Sequence, residues 1–280
     1  DQHKQGANLQ LLAQGGDDQA IHISLRSDLT FELEAVPFSE SYRRAESRWE
    51  RWFAGLPRVR PAYRETYLYA WWILANNMVA PRGRLRYPSK AFYLGVWNWD
   101  ACFHALALRH LDPDLARDQL RVMLAEQAPN GMIPDVVHDE GTVDWIDHPI
   151  PGPVTKPPVL AWAALKIDQL APDDDFLAEI YPALTRWHDW WFRSSDGEKP
   201  LAEYTHPYSS GLDDNPLWDH GMPVISPDLN TYLFLQRQSL AVMADRLGKA
   251  EEARRWREKA AALLEAMKAQ LSDPAARLFQ

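Results

Sequence analysis

From Ser39 to the end of the chain, apolar residues recur at the three-to-four-residue spacing of amphipathic helices. The segments between them are long, irregular and rich in Pro, Gly, Asn and Asp. A chain patterned this way buries its apolar stripes by stacking helix on helix, so the fold class it predicts is all-α. Eight helices are expected, at about 39–55, 62–80, 101–111, 113–128, 157–171, 175–193, 227–247 and 250–271, with no further strand pattern after them. Ser39, Asp100, Asp112-Pro113, Lys156-Pro157 and Pro227-Asp228 are read as their starting signals, Asp173-Asp174-Asp175 as a helix start, and Gly248 as a stop.

The helices are of two kinds. Ala101–Leu111 and Val159–Leu170 are apolar around most of their circumference, whereas Glu251–Gln270 carries its charges on one face. Buried and amphipathic helices in alternation suggest two concentric layers. Loops 81–99, 129–156 and 194–226 are too long for simple connections and are where a site is expected. Residues 1–37 differ: Ile21, Ile23 and Leu25, then Leu29, Phe31 and Leu33, alternate with polar neighbours in the period of strands. This predicts 1–37 as the remnant of an N-terminal β domain and 38–280 as a helical domain.

Composition removes several functions. The formal charge is −9, which leaves no electrostatic footprint for nucleic acid or an anionic membrane. No apolar run approaches the roughly 20 residues of a spanning helix, so a soluble chain of open compartment is expected. Cys102 is the single cysteine, which rules out an internal disulfide, and its setting in Ala-Cys-Phe-His-Ala-Leu reads as core. There is no His-x-x-x-His pair, nucleophile elbow, Walker loop or dinucleotide fingerprint, and neither cofactor nor metal is expected. The 13 tryptophans point elsewhere, because flat indole faces suit the C–H faces of sugars.

Three constellations could carry chemistry. Tyr93-Leu94-Gly95-Val96-Trp97-Asn98-Trp99-Asp100 sets two indoles, an amide and a carboxylate at a helix entry, which suits a hydroxyl-rich ligand; Asp100 reads equally as a helix cap and the indoles as core. Tyr208-Ser209-Ser210-Gly211-Leu212-Asp213-Asp214-Asn215-Pro216 holds two adjacent carboxylates, which glycoside hydrolysis needs in different protonation states. A like charge nearby raises a carboxyl pKa, but Asp-Asp-Asn-Pro is also ordinary turn chemistry. Gln127-Ala128-Pro129-Asn130-Gly131-Met132-Ile133-Pro134-Asp135 and Thr155-Lys156-Pro157-Pro158 add polar loop ends, each of which alone reads as a turn.

Taken in order, Trp-Asn-Trp-Asp, Pro-Asn-Gly-Met-Ile-Pro, Thr-Lys-Pro-Pro and Ser-Gly-Leu-Asp-Asp-Asn-Pro resemble glycoside hydrolase family 63 and its trehalase-like relatives over about residues 40–280. That resemblance implies an (α/α)₆ barrel, here incomplete, and inverting hydrolysis of an α-linked glucoside or related α-glycoside. By motif position it puts the general acid on Asp213, with Trp97, Trp99, Asp100, Gln127 and Tyr208 at the sugar, Tyr93 near the aglycone, and Asp214 capping the turn or holding a hydroxyl. Trp97, Trp99, Asp100, Gln127 and Asp213 are therefore expected around one cavity. The partner is an oligosaccharide or small glycoside.

The resemblance has departures. Tyr208 and Ser209 stand where Trp-Glu is frequent in the family, and Lys156 stands where Gln is common. Relatives acting on mannosyl- or glucosylglycerate need a cation for the carboxylate, yet no Lys or Arg lies between Pro200 and Gln236, leaving Lys156, Arg86 and Lys90. The family's catalytic base, a glutamate late in the barrel, is expected beyond Gln280, with Glu203 and Glu140 the loop glutamates that could replace it. A carbohydrate-binding protein that kept the tryptophans and lost turnover is the alternative to the enzyme.

Overall fold

The computed structural model describes residues 37–79, 87–88, 95–138, 141–195, 200–273, 275 and 278–279. The expected strands within residues 1–37 lie outside them, as do Tyr93, Arg86, Lys90 and Glu140. The chain divides into two compact units, Asp1–Leu56 and Pro57–Gln280. In the first, α1 (Phe38–Ala54) stacks Trp49 on Phe53, ring centroids 5.6 Å apart, and sets Arg48 over the Trp49 ring.

The second unit holds α2 (Arg64–Asn76, led by a 3₁₀ turn at Pro61–Tyr63), α3 (Asn98–Leu108), α4 (Pro113–Ala125), α5 (Leu160–Asp168), α6 (Asp174–Ser194), α7 (Pro227–Arg246) and α8 (Ala250–Leu271). Helix α3 packs on α5 and α5 on α7, forming an inner row. Outside it, α4 lies on α3 and α5, α6 on α4 and α7, and α8 on α7. The expected all-α, two-layer architecture is borne out.

The layering follows from side-chain size. Ala101, Cys102, Ala105, Ala161, Ala163 and Ala164 are fully buried on α3 and α5, where short side chains let inner helices approach. Outer helices instead drive large residues inward. On α6, Phe176, Leu177, Ile180, Leu184, Trp187 and Trp191 form one stripe, and on α8 Ala253, Trp256, Ala260, Leu263 and Met267 form another. Trp187 and Trp191 have virtually no exposure, and truncating either to Ala would cost about 3–5 kcal/mol.

Several starting signals need correction. Helix α1 begins at Phe38 without a side-chain cap, so Ser39 lies inside it. Helix α3 begins at Asn98, which places Asp100 in its first turn rather than at its cap. Helix α5 begins at Leu160, three residues after Pro157, whereas α7 does begin at Pro227 with Asp228 in its first turn, as expected. Asp112 and Asp173 do cap, accepting the N–H groups of Leu115 and Phe176. Gly248 turns the chain out of α7 with φ of 71°, where a glycine has no Cβ to strain.

The long loops also contain short strands that the sequence did not announce. β1 (Met78–Val79) pairs with β2 (Tyr87–Pro88), and β3 (Val96–Trp97) pairs antiparallel with β4 (Val136–Val137), which pairs with β5 (Thr142–Val143). β6 (Trp145–Ile146) pairs with β7 (Gly152–Pro153), and β8 (Ser272–Asp273) with β9 (Leu278–Phe279).

Candidate active site

The four motifs lock onto one another at the loop ends of α3, α5 and α7. The β3–β4 ladder sets Trp97 opposite Val136, and fully buried Asn98 completes the join: its backbone N–H donates to the Asp135 carbonyl (2.9 Å) and its amide to the Pro134 carbonyl (3.1 Å). Pro129-Asn130-Gly131 is shaped by its own turn chemistry. Asn130 Oδ1 accepts from Met132 N–H, and Gly131 takes φ of 97° with the Arg186 carbonyl where a Cβ would stand.

The Thr-Lys-Pro-Pro segment ties this sheet to the acidic loop. Thr155 N–H donates to Ser209 Oγ (3.3 Å), and Lys156 Nζ donates to the Tyr208 carbonyl while lying 3.2 Å from Asp135 Oδ1. Asp135 and Lys156 are each about 5% exposed, so this is a buried ion pair. It is off the angle of a well-directed hydrogen bond, and Asp135 Oδ1 keeps an open acceptor site. Burial pushes the Asp135 carboxyl up to about 6; Lys156 opposes the rise, and Asp213 and Asp100 add to it. Asp100 and Asp213, 113 residues apart, thus share one electrostatic neighbourhood around Asp135.

Two further contacts aim the acidic loop. A 3₁₀ turn at Pro207–Ser210 ends in a hydroxyl relay, Ser210 Oγ donating to the Pro207 carbonyl and accepting from Leu212 N–H. Gly211 then takes φ of 70°, with Trp99 Cζ2 only 2.3 Å from where a Cβ would be. The indole of one motif therefore lies against the backbone of another, two residues ahead of Asp213. Past this point the chain is exposed: Asp213 and Asp214 border an open cavity of about 350 Å³ with Leu212, Asn215 and Pro216.

The remaining candidates divide. Trp97, half-buried, meets His138 edge-on, and Trp99 meets Phe103 edge-on. Tyr208 is half-buried beside His206, whose ring nitrogen Nδ1 accepts Tyr208 N–H; burial pushes the His206 pKa down, favouring neutral imidazole. Gln127 faces α6: its amide donates to the Gly131 and Ala183 carbonyls and its oxygen accepts from Arg186. Cys102 is fully buried, donates weakly to the Asn98 carbonyl, and has its thiol pKa pushed far up by burial. Glu203 is also buried. Sequence reasoning missed Asp135 as a site group, although its carboxylate lies within the quoted loop. Among the described residues no group of three His, Cys, Asp or Glu side chains could hold a metal ion.

A family model described as the mannosylglycerate hydrolase MGH1-like glycoside hydrolase domain matches residues 93–280, the stretch containing all four motifs. The chain belongs to this family. Mannosylglycerate hydrolase MGH1 of Selaginella moellendorffii is 27% identical over 175 residues, covering 56% of this chain and 34% of its own length. Glucosylglycerate hydrolase of Mycolicibacterium hassiacum is 29% identical over 175 residues, covering 52% and 38%. The crystal structure of the GH63 mannosylglycerate hydrolase from Thermus thermophilus in complex with glucose superposes with a TM-score of 0.62 at 23% identity, covering 74% of this chain and 64% of that one, a likeness of fold. The MGH1-like chain thus spans a little over a third of the length of these curated relatives. No described helix of this MGH1-like chain is long and apolar enough to cross a membrane.

Proposed function

We propose that this chain is the acid-bearing part of an inverting glycoside hydrolase acting on an α-linked glucoside or related small α-glycoside. Asp213 donates its proton to the leaving oxygen, while Asp100 accepts sugar hydroxyls and Trp99 and Trp97 offer indole surface to the ring. Tyr208 borders the same subsite, Tyr93 is assigned to the aglycone, and Asp214 holds the turn. Gln127, with its amide taken up by Gly131, Ala183 and Arg186, anchors the 128–134 loop to α6 in this scheme. The attacking water needs a second carboxylate, which the scheme assigns to none of the described residues.

One observation carries the reading: four motifs spread over more than a hundred residues are joined around Asp135, with Asp100 and Asp213 both acting electrostatically on its carboxyl and Trp99 lying on Gly211. The mannosylglycerate and glucosylglycerate hydrolase relatives make the glycosylated glycerates a second substrate class to be tried. Proton NMR of fresh hydrolysate, made by the whole protein that supplies this second carboxylate, is the test. Release of the β-anomer first from an α-glucoside is expected. Release of the α-anomer would overturn inversion, and sugar binding without turnover would favour the carbohydrate-binding alternative.

A further inference from the structure

We propose that the cavity among α6, α7 and α8 is a second ligand site, built for the phosphate group of a small phosphate monoester such as a sugar phosphate. It encloses about 640 Å³ and is lined by His188, Asp189, Phe192, Arg193, Arg237 and Lys259. None of these residues borders the cavity at Asp213, and the inference does not rest on the glycosidase reading. The charge of the lining selects an anion. Among the described residues Arg193, Arg237 and Lys259 stand there against Asp189 alone, on a chain whose formal charge is −9.

Each of the three cations is held by neutral partners. Arg237 is only 9% exposed; its Nε donates to His188 Nε2 (3.1 Å), its Nη1 to the Lys259 carbonyl (2.6 Å), and its guanidinium carbon lies 4.4 Å from the centre of the Phe192 ring. Because His188 Nε2 accepts, its proton sits on Nδ1, 3.3 Å from Gln236 Oε1, and burial beside Arg237 keeps the imidazole neutral. Lys259 Nζ lies 4.6 Å from the centre of the Trp256 ring, and Arg193 Nη2 donates to the Asn130 carbonyl (2.9 Å). Elsewhere on α7 and α8 arginines meet carboxylates instead: Arg246 pairs with Asp168 and Asp174, and Arg257 with Asp245. A buried guanidinium without an adjacent anion is costly. Desolvation pushes the Arg237 pKa down to about 10, with Asp189 opposing the fall, so it remains a cation at neutral pH. A phosphate monoester, which carries nearly two negative charges at pH 7, offsets that cost, and its oxygens match the guanidinium fork. The cavity is roomier than a bare phosphate needs, and half-buried Asp189 can accept the hydroxyls of an esterified sugar.

The test is calorimetry of the whole protein at pH 7.5 with glucose 6-phosphate and with inorganic phosphate. The ester is expected to bind about tenfold tighter than the free ion, and Lys259→Gln and Arg193→Gln should each weaken it by about tenfold, the worth of one charge-assisted contact. Arg237→Gln should abolish binding; should that variant not fold, the two exposed positions decide alone. Asp213→Asn should leave the affinity within about twofold, because the acidic loop lies outside the lining. Absence of saturable binding by the ester, or affinity unchanged in both Lys259→Gln and Arg193→Gln, would overturn the site. A loss in Asp213→Asn with the cavity variants unaffected would move the ligand to the acidic loop and overturn it as well. Equal affinity for ester and free ion would overturn the assignment to an ester. Failure to hydrolyse any glycoside would sink the enzyme reading and leave this inference standing.

Discussion

The floor and the rim of the site are both loop, yet they are built in opposite ways. Residues 131–137 and 154–160 are buried almost throughout and are tied in place by hydrogen bonds to Asn98 and Ser209 and by the Asp135–Lys156 pair. Residues 212–214 are exposed and lean on Trp99 and the Ser210 hydroxyl for aim. The contrast separates stiffness from chemistry. A buried floor fixes where Asp100 and the indoles stand, while in the proposed scheme an exposed rim would let the Asp213 carboxyl exchange protons with water between turnovers. Mutations in the floor should therefore register as stability and those in the rim as rate.

The largest effect is expected at the rim. In the whole enzyme of the proposed scheme, Asp213→Asn should lower kcat on an α-glucoside by about 10²–10⁴-fold while leaving the melting temperature almost unchanged. In the floor, Lys156→Met strands Asp135 beside Asp100 and Asp213 and should cost about 3–5 kcal/mol by urea unfolding at pH 7.5. The contrast fails if that variant melts like the parent and loses only rate.

A pH series sharpens the floor's share. Asp135 rises from 3.8 to about 6 on folding, so the folded chain binds this proton more tightly. Its contribution to stability is complete below about pH 4 and is lost as pH rises through 6, a change on the order of 3 kcal/mol. Asp135→Asn should flatten that part of the stability profile, and an identical profile in parent and variant would contradict the assignment. Where floor and rim meet, Gly211→Ala must adopt φ of 70° and push against Trp99, at a cost of about 1–3 kcal/mol with a shifted tryptophan emission. Neutral behaviour there would mean the indole is free to move aside.

Helices were legible because burial of a stripe is a local property: the repeats on α6 and α8 can be counted from the residues alone. Helix starts were less so. Asn98 opens α3 two residues before Asp100 because its N–H and amide are claimed by Asp135 and Pro134, partners 36 to 37 residues away. The two-residue strands were invisible for the same reason, since Val96 meets Val137 only after the chain has returned. Within the site, the motifs named the segments that carry Trp99, Asp100 and Asp213 but not the contacts that join those segments. That Arg186 would hold Gln127, or that Asp135 would face Lys156, depended on side chains 59 and 21 residues away that no spacing connects.

The central claim is that Asp213, not Asp214, supplies the proton from the rim. Its most direct test is kcat for Asp213→Asn and Asp214→Asn on two α-glucosyl substrates, one with an alcohol leaving group that needs protonation and one, the fluoride, that leaves with little help. Asp213→Asn should lose several orders of magnitude on the alcohol and far less on the fluoride, with Asp214→Asn within a few-fold of the parent on both. Near-normal turnover of the alcohol by Asp213→Asn, with collapse in Asp214→Asn, would contradict the account and move the acid to the neighbour.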